Sequence, residues 1–123
     1  MPLESCPRSP NCVSTLAEPS DHAHHLEALA VNQSADVVLD AVESIVTTAG
    51  GDVKARDTNT LSAVFKSPLF RFKDDVSFFV DEDGRRLHAR SASRVGYSDL
   101  GANRKRVSAL FGEIDSRLNA GSS

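Results

Sequence analysis

The chain has 123 residues, of which 40% are hydrophobic and 25% are charged, and its formal net charge is −3. This length is enough for one domain with one modest core, and the composition excludes a largely disordered protein. No apolar run approaches the roughly 20 residues that a membrane span needs, which excludes a transmembrane protein.

Residues 1–33 are predicted to form an extended N-terminal arm, because they are rich in Pro, Ser, His and Asn and have no regular period. Pro7 and Pro10 exclude a regular helix in this arm. The N-terminus shows no basic region followed by an apolar stretch, so the sequence predicts a cytoplasmic location. Residues 34–120 are predicted to form a single α+β domain.

Cys6 and Cys12 are the two cysteines of the chain, and both lie in the arm. Their pairing stays open here, since disulfides persist mainly in oxidising compartments. Two thiols do not complete a structural zinc site, which typically has four ligands. The nearby histidines, His22, His24 and His25, lie in a polar stretch without fixed geometry. The sequence therefore predicts neither a metal site nor a cofactor.

A first helix is predicted over residues 34–49. Ser34 is a favourable N-cap, and apolar residues recur at helical spacing behind it. Gly50 and Gly51 end the helix.

Alternating apolar and polar residues predict four strands, at residues 53–56, 61–66, 75–81 and 85–95. The dipeptide Asp83-Gly84 predicts a two-residue hairpin turn between the last two strands. That turn places Leu87 opposite Val80 and Ala89 opposite Phe78.

The same register predicts that Arg90 and Arg94 lie on the polar face of the sheet together with Asp75. Both arginines are then diagonal to this aspartate and within reach of its carboxylate. A slip by one residue would move these charges into the core, so the pattern itself favours this pairing.

A last helix is predicted over residues 103–119, with Asn103 or Asp99 as its cap and one apolar stripe. The element order is α-β-β-β-β-α. It predicts a two-layer α+β fold in which both helices pack on one face of a four-stranded, mainly antiparallel sheet.

Residues 104–106 place three basic side chains in the first turn of the last helix, where acidic residues are preferred. A compensating partner is expected, either Asp74, Asp75, a bound anion or a partner protein.

Three segments together resemble one known family. They are CPRSPNCVS at residues 6–14, FKDDV at residues 72–76 and RSASRVGYSDLGANRKR at residues 90–106. The chain is similar over almost its whole length to the domain of unknown function 1499 family. This resemblance implies no reaction, ligand or catalytic residue.

Charge is unevenly distributed along the chain. Residues 85–106 hold seven of the fourteen basic residues and one of the seventeen acidic residues. Guanidinium groups bind carboxylates and phosphates in bidentate fashion, and the free N–H groups at a helix start favour an anion. The candidate ligand-binding residues are Arg90, Arg94, Tyr97, Asp99, Asn103 and Arg104.

Asp74 and Asp75 are candidates for structural ion pairs. As neighbours on a strand they point to opposite faces, so they do not form a catalytic carboxylate pair around one bond.

The leading hypothesis is a non-enzymatic binding or interaction module whose partner is a small anion or a protein. One alternative is a small enzyme that uses Asp75 or Asp99 as acid or base beside Arg90 or Arg94. Another is an ion-pair network that stabilises the fold and binds nothing. Nucleic acid is excluded as a partner by the overall acidic charge and the absence of tryptophan.

Overall fold

The computed structural model describes residues 3–66, 72–96 and 101–119. Within these ranges the chain forms two helices and one antiparallel sheet, which confirms the α+β class. The helices are α1 Ala35–Thr48 and α2 Ala102–Asn119. The strands are β1 Cys12–Ser14, β2 Leu29–Ala30, β3 Asp52–Arg56, β4 Thr60–Lys66, β5 Lys73–Asp81 and β6 Arg86–Ser93. The strand order is β1-β6-β5-β4-β3, and β2 also pairs with β6.

The prediction of a four-stranded sheet is wrong, since the described part of the sheet has six strands. The two additional strands, β1 and β2, both lie in the segment predicted as an extended arm. Residues of β1 pair with Ala92, Ser91 and Arg90 of β6, and those of β2 pair with Leu87 and Arg86. Strands of three and two residues are too short to show an alternating pattern, so the sequence does not reveal them. They are strands because they pair with the distant strand β6.

The helix α1 begins and ends close to the predicted positions. The N–H groups of Gly50 and Gly51 bond to the carbonyls of Thr47 and Val46, and Gly50 has a φ of 97°, which completes a glycine-terminated helix end. Ser34 occupies the N-cap position, but its side chain makes no capping hydrogen bond. The backbone N–H of Ala35 is instead satisfied by Oε2 of Glu82, at 3.1 Å, from the β5–β6 turn.

The β5–β6 hairpin has the predicted register and a different turn. Leu87 pairs with Val80 and Ala89 with Phe78, which confirms the alignment. The turn has four residues, 82–85, rather than two, and Arg85 takes the left-handed conformation with a φ of 54°. Gly84 donates its N–H to Oδ1 of Asp81, and a Cβ at this position would make that carboxylate shift.

One face of the sheet and both helices enclose the core. Phe78, Leu87 and Leu61 of the sheet and Leu39 and Ile114 of the helices belong to the same buried apolar cluster. None of the helices in the described ranges is both long enough and apolar enough to cross a membrane.

The opposite face of the sheet, called the outer face below, is partly covered by the start of the chain. Leu3 is only 5% exposed, and it lines the same cavity as Val64 of the outer face. A disulfide bond joins Cys6 to Cys12, which lies in β1 and is fully buried. The first residues of the chain are therefore attached covalently to the sheet edge beneath them.

Candidate functional site

The outer face carries the cluster of charges that the sequence predicts there. Arg90 of β6 lies opposite Ser77 of β5, and Asp75 lies opposite Ala92. Arg94 follows the end of β6, and its backbone N–H donates to the carbonyl of Lys73. Arg90, Arg94 and Asp75 therefore share one face, as the register predicts.

Asp75 and Arg94 form a bidentate ion pair. The Nε and Nη2 groups of Arg94 each donate to one carboxylate oxygen of Asp75, both at 2.8 Å. This contact, followed by the charges of Arg94, Arg90 and Lys73, holds the pKa of Asp75 below its usual value, while partial burial acts in the opposite direction. The carboxylate stays ionised near neutral pH, and the guanidinium fork of Arg94 is already occupied.

Arg90 is held differently from Arg94. Its Nη2 donates to the carbonyl oxygen of Ser5 at 3.3 Å. Its Nε is shielded from solvent and has no hydrogen-bond partner among the described residues. Arg90 therefore combines a permanent charge with an unsatisfied donor, at a position where the chain supplies one long contact to a neutral carbonyl.

A cavity of about 510 Å³ lies on the outer face beside these arginines. It is bounded by the first residues of the chain and by strands β3 to β6. Its charged lining residues are Glu4, Lys54, Asp75, Arg90 and Arg94. Three cations therefore face two carboxylates, and the local balance is positive, in contrast to the negative charge of the whole chain.

The cavity also offers neutral contacts. Ser62 of β4 and Ser77 of β5 lie opposite one another in register and place two hydroxyl groups along the cavity floor. Leu3 and Val64 add apolar surface. This lining is suited to a small polar molecule that has a charged end and a short carbon chain.

Asn103 lies away from this cavity. Its side chain is fully buried and accepts the hydroxyl of Ser91, which faces the core side of β6. Its amide also donates to the carbonyl of Asn11 and to the hydroxyl of Ser93. It belongs to the helix body rather than to the cap, and its bonds join α2 to the sheet.

Arg104 also lies on the helix side. Its guanidinium donates to the backbone carbonyls of His25, His22 and Ala23, at 2.8, 3.2 and 3.3 Å. The structure thus brings Arg90 and Arg94 together and places Asn103 and Arg104 elsewhere. Tyr97 and Asp99 lie outside the described residues.

Asp74 points to the core side and meets the basic first turn of α2. Nη1 of Arg106 donates to Oδ2 of Asp74 at 2.8 Å and to Oδ1 of Asn103 at 3.1 Å. The guanidinium carbon also lies 4.9 Å from the centre of the Phe65 ring. Asp74 is therefore the compensating partner of Arg106, and the two adjacent aspartates serve two separate ion pairs on opposite faces.

His24 has defined geometry that its polar sequence context does not reveal. The side chain is 7% exposed. Its Nδ1 lies 2.8 Å from Oδ2 of Asp21, and its Nε2 lies 2.9 Å from the carbonyl oxygen of Ser9. Both partners are acceptors, so only the protonated ring donates to both. The Ser9 carbonyl and then the Asp21 carboxylate raise the pKa of His24, while burial and the charge of Arg104 oppose them.

Replacing His24 by glutamine is expected to remove a pH-dependent part of the stability. Because the folded protein raises the pKa of His24, its contribution is complete below the ordinary value of 6.5 and is lost as the pH rises through the folded value. Denaturant unfolding near pH 6 and near pH 8 measures this, and wild type should exceed His24→Gln by more at the lower pH. His22→Gln, which replaces an exposed histidine of the same segment, is the control. An equal difference at both pH values would contradict the assignment.

No metal centre is apparent in the described ranges, where no group of three or more His, Cys, Asp or Glu side chains is positioned to hold an ion.

Comparison with known proteins identifies the family of this chain. No curated protein matches it. The family described as "Protein of unknown function (DUF1499)" matches residues 2–114, which is most of the 123 residues. The match includes β1, the whole outer-face cluster and the start of α2. The chain therefore belongs to the DUF1499 family.

Proposed function

We propose that this protein is a non-enzymatic binding module for a small carboxylate with a single negative charge, and that the site is the outer-face cavity around Arg90. The observation that carries this proposal is the state of the Arg90 guanidinium. It lines the cavity, its Nε lacks a partner in the described ranges, and its Nη2 contacts only a backbone carbonyl at 3.3 Å. Guanidinium groups bind carboxylates through two parallel hydrogen bonds, which the Ser5 carbonyl does not provide.

The other two cations of the cavity already have carboxylate partners. Arg94 is bound by Asp75, and Nζ of Lys54 lies 2.6 Å from Oδ2 of Asp52. Within the described chain, Arg90 has no carboxylate within ion-pair distance. Ion pairs that stabilise the fold therefore account for Arg94 and Lys54. They do not account for Arg90, whose guanidinium is available to a ligand.

The charges that line the cavity favour a ligand with one negative charge over a ligand with two. Glu4 and Asp75 line the same cavity, so a dianion such as phosphate would meet two carboxylates as well as Arg90. A monocarboxylate needs one guanidinium, and a hydroxyl on its carbon chain finds partners in Ser62 and Ser77. Short hydroxy acids are therefore the ligand class that matches this lining.

The alternative of a small enzyme with Asp75 as acid or base has less support. A catalytic base at neutral pH works best when its pKa is near 7. The bidentate contact with Arg94 moves the pKa of Asp75 in the opposite direction. Its two oxygens are also occupied by that arginine, which leaves it poorly placed to take a proton from a substrate.

Arg90→Gln is expected to weaken the binding of L-lactate by at least about tenfold, because the guanidinium that forms the bidentate contact with the carboxylate is lost. An NMR titration of the labelled protein measures the dissociation constant and reports which backbone amides shift. The shifts should concentrate on β4, β5 and β6 at the cavity. Inorganic phosphate, titrated in parallel, should bind more weakly than L-lactate.

Arg86→Gln is the matched control. Arg86 lies on the same strand and is exposed, and its guanidinium donates to the carbonyls of Gly84 and Arg85 in the turn. This variant should keep the wild-type affinity. If Arg90→Gln bound L-lactate as tightly as wild type did, or if phosphate bound more tightly than lactate, the proposed site or ligand class would be wrong.

A further inference from the structure

The first residues of the chain lie between two cavities, one on the outer face and one beside the loop that follows β1. The cover segment, defined as residues 3–6, lies between the cavity of about 510 Å³ around Arg90 and a second cavity of about 250 Å³. Leu3 and Glu4 line both cavities. Displacement of the cover segment would join the two cavities into one groove that runs from the outer face to the loop after β1.

Two contacts hold the cover segment at its ends. Leu3 is 5% exposed, so its side chain anchors the start of the segment by apolar burial. The disulfide between Cys6 and the fully buried Cys12 fixes the other end to β1. Since the two cysteines are only six positions apart in the sequence, the bond keeps the segment close to the sheet edge.

The contact between these two anchors is a poor one. The carbonyl of Ser5 accepts a single bond from Arg90 at 3.3 Å, which is beyond the usual range for N–H···O bonds. The shielded Nε of Arg90 gains nothing from it. The Ser5 carbonyl thus occupies the guanidinium as an incomplete substitute for a carboxylate, which would bring two charged oxygens.

We infer that the cover segment is an autoinhibitory cover, held closed by the Cys6–Cys12 disulfide, which competes with the carboxylate ligand for Arg90. This inference rests on the proposed function of the outer-face cavity. Reduction of the disulfide leaves Leu3 as the remaining anchor of the two and allows Ser5 to leave Arg90. The reduced protein then binds the ligand more tightly, because less binding energy is used to displace the segment.

The reductant that opens the cover is a dithiol. Its thiolate attacks the sulfur of Cys6, a partly exposed residue, since Cys12 is fully buried, and the Cys12 sulfur leaves and takes up a proton. The second thiol of the reductant then displaces Cys6, which also becomes a thiol. Two electrons and two protons pass to the protein, and the reductant ends as a disulfide.

With this mechanism, the redox state of the cellular compartment sets whether the cover segment is open or closed. In a cytosolic compartment, thiols are kept reduced. The open form would then predominate. In an oxidising compartment the closed form would predominate, and binding would be suppressed.

The first test compares the affinity of oxidised and dithiothreitol-reduced protein for L-lactate. We expect the reduced protein to bind about fivefold more tightly. This factor corresponds to an oxidised protein in which about one molecule in five is open, because apparent affinity scales with the open fraction. The double variant Cys6→Ser/Cys12→Ser should bind like the reduced protein and should not respond to dithiothreitol. Equal affinity of the oxidised and reduced proteins would overturn the inference while leaving the proposed function intact.

A second variant tests the cover without changing the cysteines. Leu3→Ser removes the apolar anchor in the oxidised protein without adding a charge to the cavity, and it should raise the affinity for L-lactate in the same direction as reduction does. A decrease, or no change, would count against the cover.

A third measurement needs no ligand. Hydrogen exchange of the Arg90 Nε–H with water, followed by NMR, should become faster on reduction as the cover leaves it. Faster exchange without lactate binding in either redox state would support the cover and reject the proposed function. Unchanged exchange would reject the cover whatever the binding data show.

Discussion

Asp74→Ala is expected to lower the free energy of unfolding by about 3 kcal/mol, since it leaves a largely buried guanidinium without its carboxylate. The side chains of Asp74 and Arg106 are 11% and 20% exposed, and they meet at 2.8 Å. Arg106 retains Oδ1 of Asn103 and the ring of Phe65 as partners, but neither carries a negative charge. Urea denaturation of the variant and of wild type, followed by circular dichroism, gives the difference directly.

Asp75→Ala is the matched control, because it removes the adjacent carboxylate from the other face of the same strand. The side chains of the Asp75–Arg94 pair are 44% and 46% exposed, so water replaces the lost contact and the expected loss is at most about 1 kcal/mol. A much larger loss for Asp74 than for Asp75 would show that burial, rather than the number of hydrogen bonds, sets the contribution of each pair. Equal losses would contradict this account, since the exposed pair is bidentate and the buried one is not.

The alternation of side chains along β5 and β6 was enough to predict the outer face. Because a shift of one residue would bury charges, the pairing of Leu87 with Val80 could be predicted from the sequence, and with it the approach of Arg94 to Asp75. The turn that joins these strands was not predictable in the same way. Glu82 caps α1 and Gly84 accommodates the Asp81 carboxylate, and both constraints come from side chains outside a two-residue turn.

The cavity was beyond prediction because it depends on contacts between the two ends of the sequence. Ser5 reaches Arg90, Asn11 reaches Asn103, and β1 pairs with β6, all across more than seventy residues. The arm has no periodic signal that would indicate these contacts, although its two cysteines mark the place where it is attached. Charge segregation drew attention to residues 85–106, but it grouped side chains that the fold separates between two faces of the sheet.

That separation can be tested at Asn103, in the first turn of α2. Asn103→Ala is expected to lower the free energy of unfolding by about 3 kcal/mol, because it leaves the buried hydroxyl of Ser91 without its acceptor and removes bonds to two further polar groups. The hydroxyl of Ser91 is itself fully buried, whereas the hydroxyl of Ser93 and the carbonyl of Asn11 each lose one bond. The Asn11 carbonyl keeps the backbone N–H of Ser93 as a donor. Asn32→Ala, at an exposed position, should change the free energy by no more than about 0.5 kcal/mol.

A double-mutant cycle with Ser91 separates this structural role from a role in binding. When Ser91→Ala is added to Asn103→Ala, the hydroxyl that had lost its acceptor is removed, so the second substitution should cost far less than it does in wild type. L-lactate affinity should stay at the wild-type value in the folded fraction of each variant, since neither residue lines the Arg90 cavity. Additive losses in stability would contradict the proposed bond between these two side chains. A loss of lactate affinity at Asn103 would instead return that residue to the ligand site that the sequence alone had suggested.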